Sequence, residues 1–232
     1  MTTTKIWATV SDVSSDDPFE VRALGGTTTA IVAEIRRRMR HRDNDLPLLV
    51  AFDGPSGSGK STLAALVAGE LGATVVPSDD FFAAEITDTG WDALSPRARA
   101  EAAIDWRRLR EQALVPLLAG KVASWHPFDF AAGTRPDGTY PMAPDLVTRT
   151  PSAVILVEGA YSSRSELADL IEFAVLVDLP SAERHRRLAT RDDKAFSDAW
   201  HARWDAAEDY YFTEARPPSW FDLVVTMPLG AP

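Results

Sequence analysis

The octapeptide Gly54-Pro55-Ser56-Gly57-Ser58-Gly59-Lys60-Ser61 constrains this chain more than any other stretch of it. It fits the pattern G-x-x-x-x-G-K-[ST]. The apolar run LPLLVAF leads into it and the Ala/Leu-rich run TLAALVAGEL leaves it. A strand that enters a glycine-rich loop and a helix that leaves it is the arrangement in which successive backbone N–H groups and a helix N-terminus wrap phosphate oxygens. Glycines permit the backbone angles such a loop needs and keep side chains off the ligand. A Gly/Ser turn that binds nothing is the bland alternative, and the flanking strand and helix argue against it. The cradle then comprises Gly54, Ser56, Gly57, Ser58, Gly59, Lys60, Ser61 and Thr62. Lys60 is placed to reach the β- and γ-phosphates of ATP, and the Ser61 hydroxyl to ligate Mg²⁺. For Asp53, just before the loop, two roles stay open: a magnesium-bound water or a structural hydrogen bond to the loop.

A loop of this kind needs a sheet behind it, and the pattern downstream supplies one. Apolar strands are expected at 46–52, 73–76, 122–125, 153–157, 173–179 and 223–226, and helices at 61–71, 95–119, 163–170, 182–190 and 196–211. Strands alternating with helices imply right-handed crossovers and a parallel sheet covered on both faces. The expected fold is a three-layer α/β/α domain with a five-stranded parallel sheet and a lid around 181–215. Residues 126–150, with two glycines and four prolines, read as an irregular loop too long for a mere connection. Residues 1–45 read as an extension: an alternating stretch at Ile6, Ala8 and Val10, a polar loop over 11–17, and an amphipathic helix over 27–41. That helix carries Ile31, Ile35 and Met39 on one face. The P-loop unit is expected over 46–232, in a chain that forms one domain overall.

Composition narrows the ligands. The net charge of −10 disfavours a nucleic-acid partner, because phosphate-backbone affinity comes from clustered Lys and Arg. No apolar run reaches the roughly 18 to 20 residues that span a bilayer, so no membrane partner is expected. The N-terminus lacks the basic start and apolar core of a signal peptide, and a cytoplasmic location is the expectation. Zero cysteines exclude disulfides, thiolate zinc sites and a cysteine nucleophile. A small-molecule substrate remains, and a homo-oligomer is compatible with everything above.

In parallel sheets the functional crevice lies at the carboxyl ends of strands. Two acidic sites stand there: Asp79-Asp80 after the second core strand and Glu158-Gly159 after AVILV. Phosphoryl transfer to an alcohol needs one carboxylate to take the hydroxyl proton and another to hold magnesium. An Asp pair also suits a helix cap or turn, whereas a carboxylate ending a buried strand has little bland explanation. Arg184, Arg187 and Arg191 recur at three- and four-residue spacing. On a helix they share one face, either as an anion-recognition surface or as a solvated face paired with nearby acids. Trp200, Trp204, Tyr210 and Tyr211 read as core, while Trp106 and Trp125 could either pack or stack on a ligand.

Taken in order, GPSGSGKS, SDDFF, a helix ending LLAGK, HPFDF, ILVEG and DLPSAERHRRLATRD resemble the uridine kinase and phosphoribulokinase-like branch of P-loop kinases over about 46–226. The resemblance implies that Asp79 is the catalytic base, with Asp80 and Phe82 standing where the family has Ser and Tyr. It implies that Asp105 binds ribose hydroxyls and that Phe128 and Asp129 line the acceptor side, with Phe128 in place of a Tyr. By the same resemblance Glu158 is the metal-side acid, and Arg184, Arg187 and Arg191 are lid arginines over the phosphates. The implied activity is ATP- and Mg²⁺-dependent phosphorylation of a hydroxyl on a small metabolite, a nucleoside first. The rivals are the same fold acting on a sugar, vitamin precursor or antibiotic, and a nucleotide-dependent regulatory switch.

Overall fold

The computed structural model describes residues 6–9, 18–190 and 198–227. Eight strands occur among them: β1 Ile6–Thr9, β2 Leu48–Asp53, β3 Thr74–Pro77, β4 Ala123–Trp125, β5 Val147–Arg149, β6 Val154–Glu158, β7 Phe173–Asp178 and β8 Leu223–Thr226. The helices are α1 Pro18–Arg40, α2 Lys60–Leu71, α3 Asp88–Ala93, α4 Pro96–Ala102, α5 Trp106–Arg108, α6 Val115–Leu118, α7 Ser181–Thr190 and α8 Asp198–Tyr210. The main sheet runs β1-β8-β7-β2-β6-β3 with every neighbour parallel. Its five strands from β8 to β3 form the expected parallel sheet, and β1 adds a sixth at one edge. Val10 and the polar loop at 11–17 lie outside the described residues.

β2 shows why both faces must be covered. Leu48, Val50 and Phe52 belong to one core, Leu49 and Ala51 to the other, and all five are fully buried. A strand with apolar residues on both sides has no face to give to water, so helices pack above and below it. On one face α1 and α2 contribute Ile31, Ile35, Leu63 and Val67. On the other lie Phe81, Trp91, Leu109, Trp125, Trp204 and Tyr211. The three-layer expectation holds, and α1 is part of the domain's own core.

The basic end of α1 is structural. Arg38 bridges Glu34 and Asp222, lies over the Phe173 ring and donates to the Glu172 carbonyl. Arg36 donates to the Glu70 carbonyl at the end of α2. These ties fix the helix to the sheet edge and to its neighbour.

Three expected elements take a different form. The helix expected over 95–119 is broken at Ala103–Asp105, because that segment pairs with the chain after β3. Ala83 N–H donates to Ala103 C=O, Asp105 N–H donates to Phe81 C=O, and Phe82 bridges Ile104. Asp105 then restarts the helix as the N-cap of α5, accepting from Arg108 N–H at 3.1 Å. The turn Leu109–Leu114 is π-helical and runs into Pro116, which has no N–H to donate. The helix expected over 163–170 is a 3₁₀ turn, Ser165–Leu167. The loop at 126–150 is not wholly irregular: β5 pairs antiparallel with β4, and Phe128 bridges Met142. No helix among the described residues is long and apolar enough to cross a membrane.

The packing of α1 sets a measurable expectation. Ile35→Ala should cost about 2 to 5 kcal/mol in equilibrium unfolding, the range for a truncated buried isoleucine. Arg40→Ala, on the exposed side of the same helix, should stay within about 0.5 kcal/mol. Equal small effects would mean that α1 is an appendage rather than a core helix.

Candidate active site

The glycine-rich loop turns between β2 and α2 at the carboxyl edge of the sheet. Gly54 cannot carry a side chain, since a Cβ there would collide with the Val177 carbonyl of neighbouring β7. The loop is gripped from behind by two buried carboxylates. Asp53 accepts from Gly54 N–H at 2.8 Å, Ser163 N–H at 2.8 Å and Tyr211 O–H at 2.9 Å. Glu208, from α8 and 2% exposed, accepts from both the N–H and the hydroxyl of Ser56. Of the two roles open for Asp53, the structural one is what the geometry shows. The amides of Gly57, Gly59, Lys60, Ser61 and Thr62 are not engaged by backbone carbonyls among the described residues. They form the first turn of a helix and the loop before it, the arrangement that takes a phosphate.

Lys60 is buried, and its charge acts on Asp53, Glu158 and Glu208. Burial pushes all three carboxyls up, and Lys60 is among the groups that pull each back down. Ser61 Oγ donates to Glu158 Oε2 at 2.8 Å. The two residues expected at the metal therefore meet directly, at the mouth of the cradle. Among the described residues no group of three His, Cys, Asp or Glu could hold a metal alone. A hydroxyl plus one carboxylate suits Mg²⁺, which keeps several waters and takes its other oxygens from phosphates.

Glu158 ends β6, in register with Phe52 on one side and Pro77 on the other. Gly159 follows at φ 137°, and a Cβ there would strike the Ser78 hydroxyl. That close approach brings Asp79 beside the turn, with its Oδ1 3.3 Å from where the Cβ would stand. Asp79 is exposed, whereas Asp80 is half-buried and accepts from Trp125 Nε1 at 2.8 Å. Burial pushes the Asp80 carboxyl up, and the indole N–H offsets part of the rise.

The remaining expected site residues spread out. Asp105 lines a cavity of about 480 Å³ together with Phe82, Ile104, Trp106, Arg108 and Met142. Phe128 is buried in an aromatic cluster, 4.9 Å from Phe82 and 5.4 Å from Tyr140 between ring centroids. Its N–H donates to Asp80 C=O, which ties the HPFDF stretch to the Asp pair. The Asp129 carboxylate is occupied by the amides of Ala131 and Ala132. Trp125 is core, and Trp204 packs edge-on against Phe82 and Trp91.

The arginine face divides. Arg184, expected toward the phosphates, is 4% exposed; it donates to Ser56 C=O at 3.1 Å and faces Glu208 at 3.5 Å. It is a strut behind the loop, because a buried guanidinium must spend its donors on fixed partners. Arg187 pairs with Glu183 at 3.1 Å, with its Nη1 3.6 Å from where a Cβ on Gly59 would stand. Arg191 and the side chain of Trp200 lie outside the described residues.

Sequence reasoning missed Glu208, Arg203 and Tyr161, and it read Tyr211 as core, where it lies, without its hydrogen bond to Asp53. Arg203 pairs with Asp88 at 2.9 Å and Asp92 at 2.8 Å and so ties α8 to α3. Tyr161 is the one described non-glycine residue at positive φ, 65°.

No family model matches the sequence, and neither does any curated protein. Solved structures do match. A candidate fructose transport system kinase from Silicibacter sp. TM1040 is 25% identical with TM-score 0.61, covering 85% of this chain and 98% of its own. A possible uridine kinase from Bacillus stearothermophilus is 21% identical with TM-score 0.59, covering 84% and 96%. The D-glycerate 3-kinase of Cryptococcus neoformans is 13% identical with TM-score 0.60, covering 88% and 95%. The fold is that of the P-loop kinases. Within this fold the β2–α2 loop, Glu158 and Asp79 share one edge of the sheet.

Asp53 gives this site a pH signature. Burial lifts its carboxyl from the ordinary 3.8 to about 6. Between those values the folded chain holds a proton that the unfolded chain has lost, so stability falls as pH rises through the window. The fall is on the order of 3 kcal/mol at most. Asp53→Asn should flatten unfolding free energy against pH between about 4 and 6, read by urea titration at several pH values. A slope unchanged in the variant would remove Asp53 as its source.

Proposed function

We propose that this chain is a small-molecule kinase that moves the γ-phosphoryl group of ATP to a hydroxyl of a metabolite. The observation that carries the reading is the meeting of Ser61 with Glu158 at 2.8 Å beside the exposed Asp79. The amides of the loop and Lys60 hold the phosphates. Ser61 and Glu158 would hold Mg²⁺, which supplies charge neutralisation at the phosphoryl oxygens. Asp79 orients the acceptor hydroxyl and takes its proton. Asp80 is the second candidate, half-buried and with its Oδ2 accepting from Trp125 Nε1. Arg187 adds positive charge at the loop. Catalysis is then positioning plus electrostatic stabilisation, with no covalent intermediate on the protein.

For the acceptor, a ribonucleoside is the first reading. Asp105 and Trp106 line the same cavity, a carboxylate for ribose hydroxyls and an indole for a base. A sugar is the second reading. It is favoured by the burial of Trp125 and Phe128, which removes two stacking surfaces, and by the candidate fructose transport system kinase among the structural relatives. Uridine, cytidine, D-ribose, D-fructose and pantothenate, each incubated with the chain, ATP and Mg²⁺, separate the two by ADP release and product mass. ATP turnover that no acceptor stimulates would favour a regulatory ATPase instead.

Lys60→Ala should abolish transfer and weaken ATP binding while the chain stays folded by circular dichroism; near-normal turnover would sink the assignment. Asp79→Asn should lower kcat by about 10² to 10⁴-fold with little change in ATP affinity, the usual worth of a general base. Asp80→Asn should be milder in the same steady-state assay. A reversed order would make Asp80 the base.

A further inference from the structure

A second cavity, of about 160 Å³, lies between α4, the 3₁₀ turn after β6 and the C-terminal end of α8, and neither the glycine-rich loop nor Glu158, Asp79 or Asp105 lines it. One wall is the turn Tyr211–Ala215, which is π-helical and closes with Arg216 N–H donating to Tyr211 C=O at 2.7 Å. Single π turns at the ends of helices or inside them recur at functional sites, and this one puts Tyr211, Ala215 and Arg216 on the cavity lining.

The charged groups on this lining are unequally engaged. Arg164 has spent its donors on both Glu166 oxygens and on the Ile104 and Glu101 carbonyls. Glu166 is matched by Arg164 at 2.7 Å, and Glu101 by Arg97 at 2.8 Å. Arg216 is different. It donates through Nε to Ser163 C=O at 2.9 Å and through Nη1 to Ala215 C=O at 3.1 Å, and it stacks on the Trp220 ring at 4.3 Å. Among the described residues it pairs with no carboxylate, and its Nη2 has no acceptor. These contacts hold a half-buried cation in place with one edge uncommitted. Tyr210, also half-buried, adds a phenol hydroxyl that no described residue engages.

We propose that this cavity is a second ligand site, for a small organic carboxylate, with Arg216 Nη2 and the Tyr210 hydroxyl donating to the carboxylate oxygens. A planar guanidinium already fixed by other contacts loses little freedom when it binds an oxyanion, and its charge strengthens each hydrogen bond. The rest of the lining decides which oxyanion. Ala100, Ala215 and the Tyr211 ring offer apolar surface to a carbon body, which inorganic phosphate lacks. One uncommitted cation answers a single negative charge. Phosphate brings more, and would bring it close to Glu101 and Glu166. The inference stands apart from the kinase reading, because no residue of the proposed active site takes part.

The probe is benzoate, titrated into the full chain and followed by ligand-observed NMR, with benzamide and inorganic phosphate as comparisons, each with and without ATP and Mg²⁺. Wild type should bind benzoate with a Kd that is roughly millimolar or tighter, the scale for a ligand of this size. Benzamide, which keeps the ring and lacks the charge, should bind about 10-fold more weakly. ATP and Mg²⁺ should not displace benzoate. Arg216→Gln should weaken it by about 10-fold or more. Because that change also gives up the contact with Ser163, Ala215→Leu serves as a second variant: it fills the cavity, keeps the cation and should also weaken benzoate, with circular dichroism showing that each variant is folded. Absence of benzoate binding to wild type, displacement by ATP, equal binding of benzamide, or an unchanged affinity in either folded variant would overturn the proposal. Phosphate binding more tightly than benzoate in the presence of ATP would overturn the carboxylate class.

Discussion

Everything at the working edge depends on how the glycine-rich loop is held before a phosphate reaches it. A loop of amides pointing inward repels itself, and glycines give it freedom to collapse. Here two buried carboxylates grip it from behind, Asp53 at Gly54 and Glu208 at Ser56, and Arg184 closes the grip by donating to Ser56 C=O. The amides that face a ligand are thereby preorganised, and little reorganisation remains to be done at binding. The arrangement also explains the burial of Lys60. A buried ammonium is tolerable only among opposite charges, and Asp53, Glu158 and Glu208 surround it.

Helix α8 extends this dependence to the aromatic cluster around Phe82. Glu208 holds the loop, Arg203 pairs with Asp88 and Asp92 of α3, and Trp204 packs against Phe82 and Trp91. Residues 204 and 208 are one helical turn apart and share a face, so a single rigid element touches both the phosphate loop and the aromatic wall. A displacement of α8 loosens the grip on Ser56 and opens the aromatic cluster together.

The difference between what was and was not legible in the sequence follows from the range of the interactions. The loop, its strand and its helix are local, and the spacing of Gly54, Gly59 and Lys60 carried them. Ser61 and Glu158 were legible one by one, from the motif and from the end of an apolar run, and the sheet brings their side chains into contact. The contact of Arg184 with Ser56 and Glu208 was not legible, because spacing shows which residues share a helix face but not which way the face turns. The break at Ala103–Asp105 was invisible because its cause is a pairing with Phe81–Ala83, distant in sequence and without local turn chemistry. Glu208 left no signal at all. It is an acid within a helix of charged and aromatic residues, and only the tertiary fold reveals that its partner is Ser56, 152 residues away.

The aromatic pair Phe82 and Phe128 fits the same account. Phe82 and Phe128 stand where the resembling family has phenols, and both rings are spent on mutual packing. An apolar wall contributes contact area but discriminates weakly among isosteric ligands, since rejection by orders of magnitude requires a polar group that is stranded by the wrong substrate. Of the phenols in the neighbouring core, Tyr140 is bound to Asp88 at 2.8 Å and Tyr211 to Asp53 at 2.9 Å. Tyr161 keeps its hydroxyl unspent. Under the kinase reading proposed above, discrimination would fall to Asp79 at the reacting end and to Asp105 in the cavity. Oxygen pattern near the transferred group should govern acceptor choice more strongly than the size of what lies behind it.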